Sequence, residues 1–453
     1  MAAASAFQLR NIRLFIAFRV CFNARFYYPV FTILFLDYGL SIEQFALLNT
    51  VWAITIVLTE VPSGALADLL GRKRLLVLTS VLMIVELSVI AFIPLASSTL
   101  IFWAFLINRI ISGLAEAMAS GADEAIAYDT LSLEGDANQW PRVLGVQMRI
   151  RSIAAMVSMT VGALVYDPDV VNSLIHLAGS SLSVDQQTTM RFPVYLTLVL
   201  AVAAFITTLR LKEPHLESAD EPTGVSTLID TGRQTLRAGR WILTTPFALA
   251  IILYAMLYDH VLRMMITLTS QYLRLIDLPE ASFGVIMAAL SLLGLAVARL
   301  AEWMVQRFSP AQNAGWLALL TMVTLIGLTG FIPYFGLIPM SMVMVGLLLT
   351  DFFTSHYLNK ITSSKLRATV LSFKGLAYNL AYGAIGVLFA LLMHRLRGAG
   401  AAAHPDWSAE AVEHGAFRAS IGWFPWYALA LIGVVTFFSW YLLRGETAHR
   451  TRG

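Results

Sequence analysis

Glu60-Val-Pro-Ser-Gly-Ala-Leu-Ala-Asp-Leu-Leu-Gly-Arg-Lys-Arg74 is a short basic turn between two long apolar segments, 47–58 before it and 75–94 after it. Gly64 and Gly71 permit close packing and a sharp reversal, because a residue without Cβ enters φ > 0 at no steric cost. Asp68 and the consecutive cations Arg72, Lys73 and Arg74 fall where one membrane face would be. A soluble protein has no reason to place such a turn between apolar runs of this length.

Composition agrees with that placement. Of 453 residues, 58% are hydrophobic and 13% charged, whereas soluble domains carry about 25% charged residues. Mean hydropathy is +0.72. A helix needs about 20 apolar residues to cross the hydrocarbon core, and roughly twelve such stretches are present. They lie at 12–36, 43–67, 73–95, 99–129, 142–166, 192–211, 243–273, 281–306, 313–335, 337–361, 367–394 and 421–444. The alternating strands of an outer-membrane barrel are absent. The fold class expected is therefore an all-α integral membrane protein. Net charge is +3 with no basic patch, so nucleic acid is not an expected partner. The single cysteine, Cys21, excludes a disulfide within the chain. Arg10 and Arg13 precede an apolar run as in a signal peptide, but Arg19, Asn23 and Arg25 interrupt it. The segment reads as a retained first helix.

The larger share of Lys and Arg falls at the two ends and in the connections 68–74, 129–142, 210–241, 307–312 and 360–367. Positive loops face the cytoplasm, so both termini are expected there, in a plasma or inner membrane. The polar connection 212–241 separates six spans from six. It marks the expected boundary between an N-terminal bundle, 1–211, and a C-terminal bundle, 242–453. The loops 167–191 and 396–420 occupy matching places in the two halves. Residues match across them too: Arg25 with Arg263, Phe45 with Phe283, Arg142 with Arg367, and Arg149 with Lys374. Parallel repeats of this kind are a transporter architecture.

The run Gly64-Ala-Leu-Ala-Asp68-Leu-Leu-Gly71-Arg72-Lys73 resembles the signature loop of the major facilitator superfamily, which lies between helices two and three. Asn108-Arg109-Ile-Ile-Ser-Gly113-Leu-Ala resembles the fourth-helix motif of that family, with Ser112 where a Gln is usual. The second copy of the loop, Arg299 to Arg307, keeps charge but not glycine spacing. The Gly-Pro motif of the drug/proton antiporters is missing from the fifth span, Ser158-Met-Thr-Val-Gly162-Ala. The resemblance implies two pseudo-symmetric six-helix bundles and secondary transport by alternating access. It also implies a gate. In the family the loop Asp, the loop Arg and an Asp at the inner end of helix four cluster against the start of helix eleven. Asp68, Arg72 and Asp129 match those positions, and Arg367 opens the eleventh span. A helix N-terminus carries about +0.5 charge, which attracts Asp68. With Gly64 and Gly71 these are the gating residues expected.

Ionisable residues inside spans cost about 2.5–3.5 kcal/mol each at the bilayer centre, so they face a cavity or a partner. On the fourth span Arg109, Gly113, Glu116, Ser120, Asp123 and Ala127 recur at three- and four-residue steps, hence on one face. Counting about 1.5 Å of rise per residue makes three pairings available: Arg25 with Glu116, Asp123 with Arg149, and Arg19 with Glu60. Arg25 and Arg263, one on the first helix of each half, suit a bidentate anion. With Arg109 and Glu116 they form the expected substrate-binding set. Burial favours a neutral carboxyl and a neighbouring cation the charged one, which is the physics of proton coupling. Glu60, Glu116, Asp259 and Asp351 are the expected coupling groups. Asp259 has His260 beside it, and His356 and Lys374 lie on the spans that follow.

No zinc spacing, phosphate-binding loop or serine elbow is present, so no metal, cofactor or enzymatic activity is expected. The reading is a secondary transporter, monomeric, with a small-molecule solute, protons and membrane lipid as partners. The solute is an organic anion or an amphipathic compound. A receptor or a multi-span membrane enzyme on the same scaffold is the alternative.

Overall fold

The computed structural model describes residues 5–119, 122–213, 233, 237, 239–362 and 364–450. The side chains at 61, 64–70, 141, 295, 359, 364–369, 371–372 and 445–450 lie outside that description. The described secondary structure is helical throughout. Among the described residues, eleven helices are long and apolar enough to cross a membrane.

The stretch expected to be the twelfth, 12–36, is not one helix. It consists of α1 (Arg10–Asn23) and α2 (Phe31–Asp37), with a break at Ala24–Tyr27 and a 3₁₀ turn at Tyr28–Val30. Pro29 has no N–H, and its ring clashes with the carbonyl four residues back. Backbone groups freed inside a membrane must find partners within the protein. Here the Phe26 N–H donates to Thr197 Oγ1 at 3.1 Å, and Arg25 Nε donates to the Phe22 carbonyl at 3.2 Å.

The chain then continues as α3 (Ile42–Leu70), α4 (Arg72–Phe92), α5 (Ser98–Ala119), α6 (Ala122–Glu134) and α7 (Trp140–Tyr166). Next come α8 (Pro168–Leu177), α9 (Gln186–Thr189), α10 (Phe192–Arg210), α11 (Pro246–Thr267) and α12 (Thr269–Leu275). The last five are α13 (Glu280–Arg307), α14 (Pro310–Leu328), α15 (Leu337–Ile361), α16 (Ser364–Ala403) and α17 (Ala409–Arg450). The loops 167–191 and 396–420 carry unexpected helix. Asp167 caps α8, accepting from the Asp169 and Val170 N–H groups, and Pro168 takes the first position, where no donor is needed. At the other loop α16 runs on to Ala403 and α17 starts at Ala409. A capping box between Ser309 and Gln312 starts α14.

Two compact units result, each a helical bundle. The first comprises 1–40, 54–231 and 279–288. In it α4 packs on α5 and α10, and α1 on α6, α7 and α10. Ile12 and Phe15 of α1 meet Ala127 and Leu131 of α6 and Val143 of α7. Lipid tails are as apolar as leucine, so association in a membrane relies on close packing at small residues. Gly162 of α7 shows this. A Cβ there would lie 1.8 Å from the Phe26 carbonyl oxygen in the break of the first span. Gly284 of α13 lies against Met159 of α7 in the same way. Since the obstacle is backbone, Gly162→Ala is expected to destabilise by about 1–3 kcal/mol, the usual cost of overpacking. Thermal unfolding of the detergent-solubilised protein measures it.

The second unit comprises 41–53, 232–278 and 289–453. Its central helix, α11, packs on α15, α16 and α17, while α14 packs on α15 and α17. Ile252, Leu358, Val370 and Ala377 form part of its core. The first turns of α3 belong here. Thr50 Oγ1 donates to the Gly383 carbonyl at 3.2 Å, and Gly386 leaves room for it. Arg397 of α16 pairs with Glu43, and the Ile42 N–H donates to Glu413 at 3.1 Å.

Candidate functional site

Gly71 ends α3 and precedes α4 at φ +85°, a conformation that suits glycine alone. The first N–H groups of a helix have no partner within it. At α4 the Arg72 and Lys73 N–H groups donate to the Glu213 carboxylate at 3.1 and 2.8 Å. The Arg72 guanidinium pairs with Asp129 of α6. The backbones of Gly64 and Asp68 lie in α3 and that of Arg367 in α16, but their side chains lie outside the described residues.

Deeper in the first unit, a line of charge runs along α1, α4 and the α5–α6 span. Arg25, 4% exposed, pairs with Glu86 of α4, 0% exposed, at 2.7 Å. Its guanidinium also lies over Phe22, 5.4 Å from the ring centre. The Glu86 carbonyl accepts from Asn108 Nδ2 at 2.9 Å, and Asn108 Oδ1 accepts from Arg109 Nε at 3.1 Å. Arg109 is buried over the rings of Phe31 and Phe35. One face of α5 thus ties the signature motif residues Asn108 and Arg109 to the Arg25–Glu86 pair. Glu116 is exposed and makes no ion pair among the described residues. Further along, Arg19 binds Asp123 and Glu124, the latter at 2.6 Å.

The expected pairings are therefore corrected. Arg25 takes Glu86 and not Glu116. Asp123 takes Arg19, while Arg149 is exposed and donates to Gly145 on its own helix. Arg19 does not meet Glu60, which is half-buried on α3. Depth along a helix axis equalises groups that rotation about the axis keeps apart, and the break after α1 shifts every depth counted through it. The signal for Glu86 in the sequence is that it is the one carboxylate of α4, set among apolar residues more than two turns past the opening cations Arg72, Lys73 and Arg74.

In the second unit Arg263 of α11 pairs with Asp259 one turn earlier at 2.7 Å and donates to Asn379 of α16 at 3.0 Å. Tyr378 and Tyr382 present their rings to its guanidinium. Lys374 of α16 binds Asp351 of α15 at 2.7 Å, and Asp351 remains 68% exposed. Asp351, Ser355 and His356 line a cavity of about 480 Å³ shared with α13. His260 instead turns away from this cluster to Tyr427 of α17 at 3.0 Å. Among the described residues there is no group of three or more candidate metal ligands.

Each unit thus holds an arginine with a carboxylate partner, Arg25 in the break after α1 with Glu86 and Arg263 on α11 with Asp259. The arginines correspond between halves; their carboxylates do not, one coming from another helix and one from the same helix.

A family model described as Major Facilitator Superfamily matches residues 13–387. No curated protein matches the chain. Among solved structures, the nucleoside transporter NupG aligns with TM-score 0.66 at 13% identity, covering 95% of this chain and 98% of its own. A bacterial homolog of the human lysosomal transporter Spinster, inward-facing and unoccupied, aligns with TM-score 0.69 at 13% identity, covering 98% of both chains. A D-xylose–proton symporter aligns with TM-score 0.61 at 13% identity, covering 94% of this chain and 97% of its own. Likeness at this identity establishes the fold alone.

Proposed function

Since the chain belongs to the major facilitator superfamily, we propose that it is a proton-coupled secondary transporter that moves a small solute by alternating access. The observation that carries the reading is the charge placed inside the membrane helices of both units. Such charge is costly in lipid and marks solute and proton pathways. Glu116 stands exposed on α5, and Asp351 stands exposed beside Lys374. Structural ion pairs alone would not leave Asp351 open to a cavity.

Within this reading the solute-binding groups are Arg109 and Arg263, the latter with Asn379 and its two tyrosines, while Glu116 serves proton coupling rather than solute contact. Arg25 contributes through Glu86 and Asn108 rather than by direct contact, because its guanidinium is already held. A clamp of two free arginines on one anion is thereby disfavoured, and a polar solute with a flat or ring-shaped body fits the tyrosines around Arg263. The neighbours described as a nucleoside transporter and a D-xylose–proton symporter are consistent with that class. Glu60, Glu116, Asp259 and Asp351 are the proton-coupling candidates. Gly64, Asp68, Gly71, Arg72, Asp129 and Arg367 form the gate, with both termini in the cytoplasm and halves at 1–211 and 242–453.

Reconstituted protein in proteoliposomes tests the reading. Uptake of at least one member of a panel of nucleosides, sugars, organic anions and amphiphiles is expected, and an imposed pH gradient is expected to change its extent. A folded protein that moves none of them refutes the transporter reading.

A further inference from the structure

A second cavity, of about 510 Å³, lies wholly inside the second unit, among α11, α14, α15 and α17. It is distinct from the charged positions described above. Its volume falls within the range of about 300–1,000 Å³ usual for small-molecule sites. The walls are apolar and aromatic, with Phe247, Tyr254 and Phe353 prominent. Two buried polar groups on the wall are left without partners. Asn313 is 0% exposed; its Nδ2 donates to Tyr357 at 2.7 Å, yet its Oδ1 accepts from nothing among the described residues. Ser439 is 3% exposed and its Oγ is likewise unpartnered. Serines within helices ordinarily bond back to their own helix, so this departure needs a reason. A buried polar group lacking its bond costs free energy comparable to the bond itself.

Asn313 and Tyr357 sit at the end of the bundle where α14 begins and α15 finishes, and Ser439 lies near the finish of α17. At that same end Trp440 lines the cavity, is 51% exposed, and carries the Arg444 guanidinium 4.5 Å above its ring. The unsatisfied polar atoms of the cavity therefore lie at that end, while the hydroxyls beyond it are already bonded within the protein and leave a wall of apolar character. We propose that it binds a single-chain amphiphile with a hydroxyl-bearing head. A head hydroxyl supplies the donor that Asn313 Oδ1 lacks, another exchanges a hydrogen bond with Ser439, and the chain runs along the apolar wall. The amphiphile comes from the adjacent leaflet or from water, since either source presents the same chemistry.

Gly315 gives a clean way to close the site. It lines the cavity, and an added Cβ meets nothing within 4 Å. Gly315→Phe therefore fills space without displacing the backbone. The probe is a diazirine-bearing monoacylglycerol, supplied in one arm within the bilayer of nanodiscs and in the other as a short-chain, water-soluble form. After photolysis, crosslinks are mapped by peptide mass spectrometry. Label on 310–318 and 436–443 is expected. Gly315→Phe should remove it, and Asn313→Leu should reduce it about fivefold, the weight of one net hydrogen bond. Label in the bilayer arm alone assigns the site to leaflet lipid, and label in the aqueous arm alone to free amphiphile; both support the site. Label that survives Gly315→Phe in a variant of unchanged Tm, or that spreads evenly over the lipid-facing helices, overturns it.

Discussion

Glu86→Ala is expected to cost about 3–5 kcal/mol of stability, the largest single-site loss in the first unit. The argument rests on asymmetry. Arg25 is 4% exposed, so removing its partner leaves a guanidinium buried without a counter-charge. The remaining contacts, the Phe22 carbonyl and ring and the Tyr27 hydroxyl, do not neutralise it. The loss should stay with the pair, because Asn108 is held by the Glu86 main-chain carbonyl, which alanine keeps, and Asn108 in turn holds Arg109. Replacing both ends, Arg25→Met with Glu86→Leu, should recover much of the stability, since a buried ion pair exchanged for apolar groups is often neutral. Thermal unfolding of the single and double variants in one detergent measures the pair. Equal losses in the single and the double variant would assign the cost to packing and not to charge.

The turn at 60–74 shows what was readable. Its glycine spacing required a reversal at Gly71, and the structure places the positive φ there and starts α4 one residue later. Span positions could be read because crossing a membrane demands length and apolarity, and both are properties of local composition. The first span departs from this. Pro29 was visible, but whether a proline breaks a membrane helix depends on whether distant groups satisfy the freed backbone. Thr197, 171 residues further along the chain than Phe26, does so here. The pairings failed for a related reason. Hydropathy locates a residue along the axis of its helix and says nothing of rotation about it. Rotation is set by packing, as at Gly162 against Phe26, and it brings Glu86 and not Glu116 to Arg25. The Arg72–Asp129 contact was within reach of motif matching because the resemblance supplied the rotation that the residues alone withheld.

Glu116→Gln is expected to abolish gradient-driven accumulation while leaving exchange in place. A pH difference of one unit is worth about 1.36 kcal/mol per proton. A carrier that moves one proton with each solute can then concentrate that solute about tenfold. Without the titrating group the concentrations inside and outside should level, and the ratio should fall to about one. Among the coupling candidates Glu116 is the favoured one on geometry. Asp259 is held by Arg263 and Asp351 by Lys374, so releasing their protons alters an existing pair. Glu116 stands exposed without an ion-pair partner among the described residues, and Arg25, the nearest cation expected for it, belongs to Glu86. The cations nearest to it, Arg25 and Arg19, are thus paired with other carboxylates. Counterflow of labelled against unlabelled solute needs no proton, so it should persist in the variant at a rate near the parent's. Proteoliposomes assayed for both properties separate the outcomes. Accumulation that stays tenfold in Glu116→Gln would move the coupling to Glu60, Asp259 or Asp351. Loss of counterflow together with accumulation would make Glu116 a solute ligand instead.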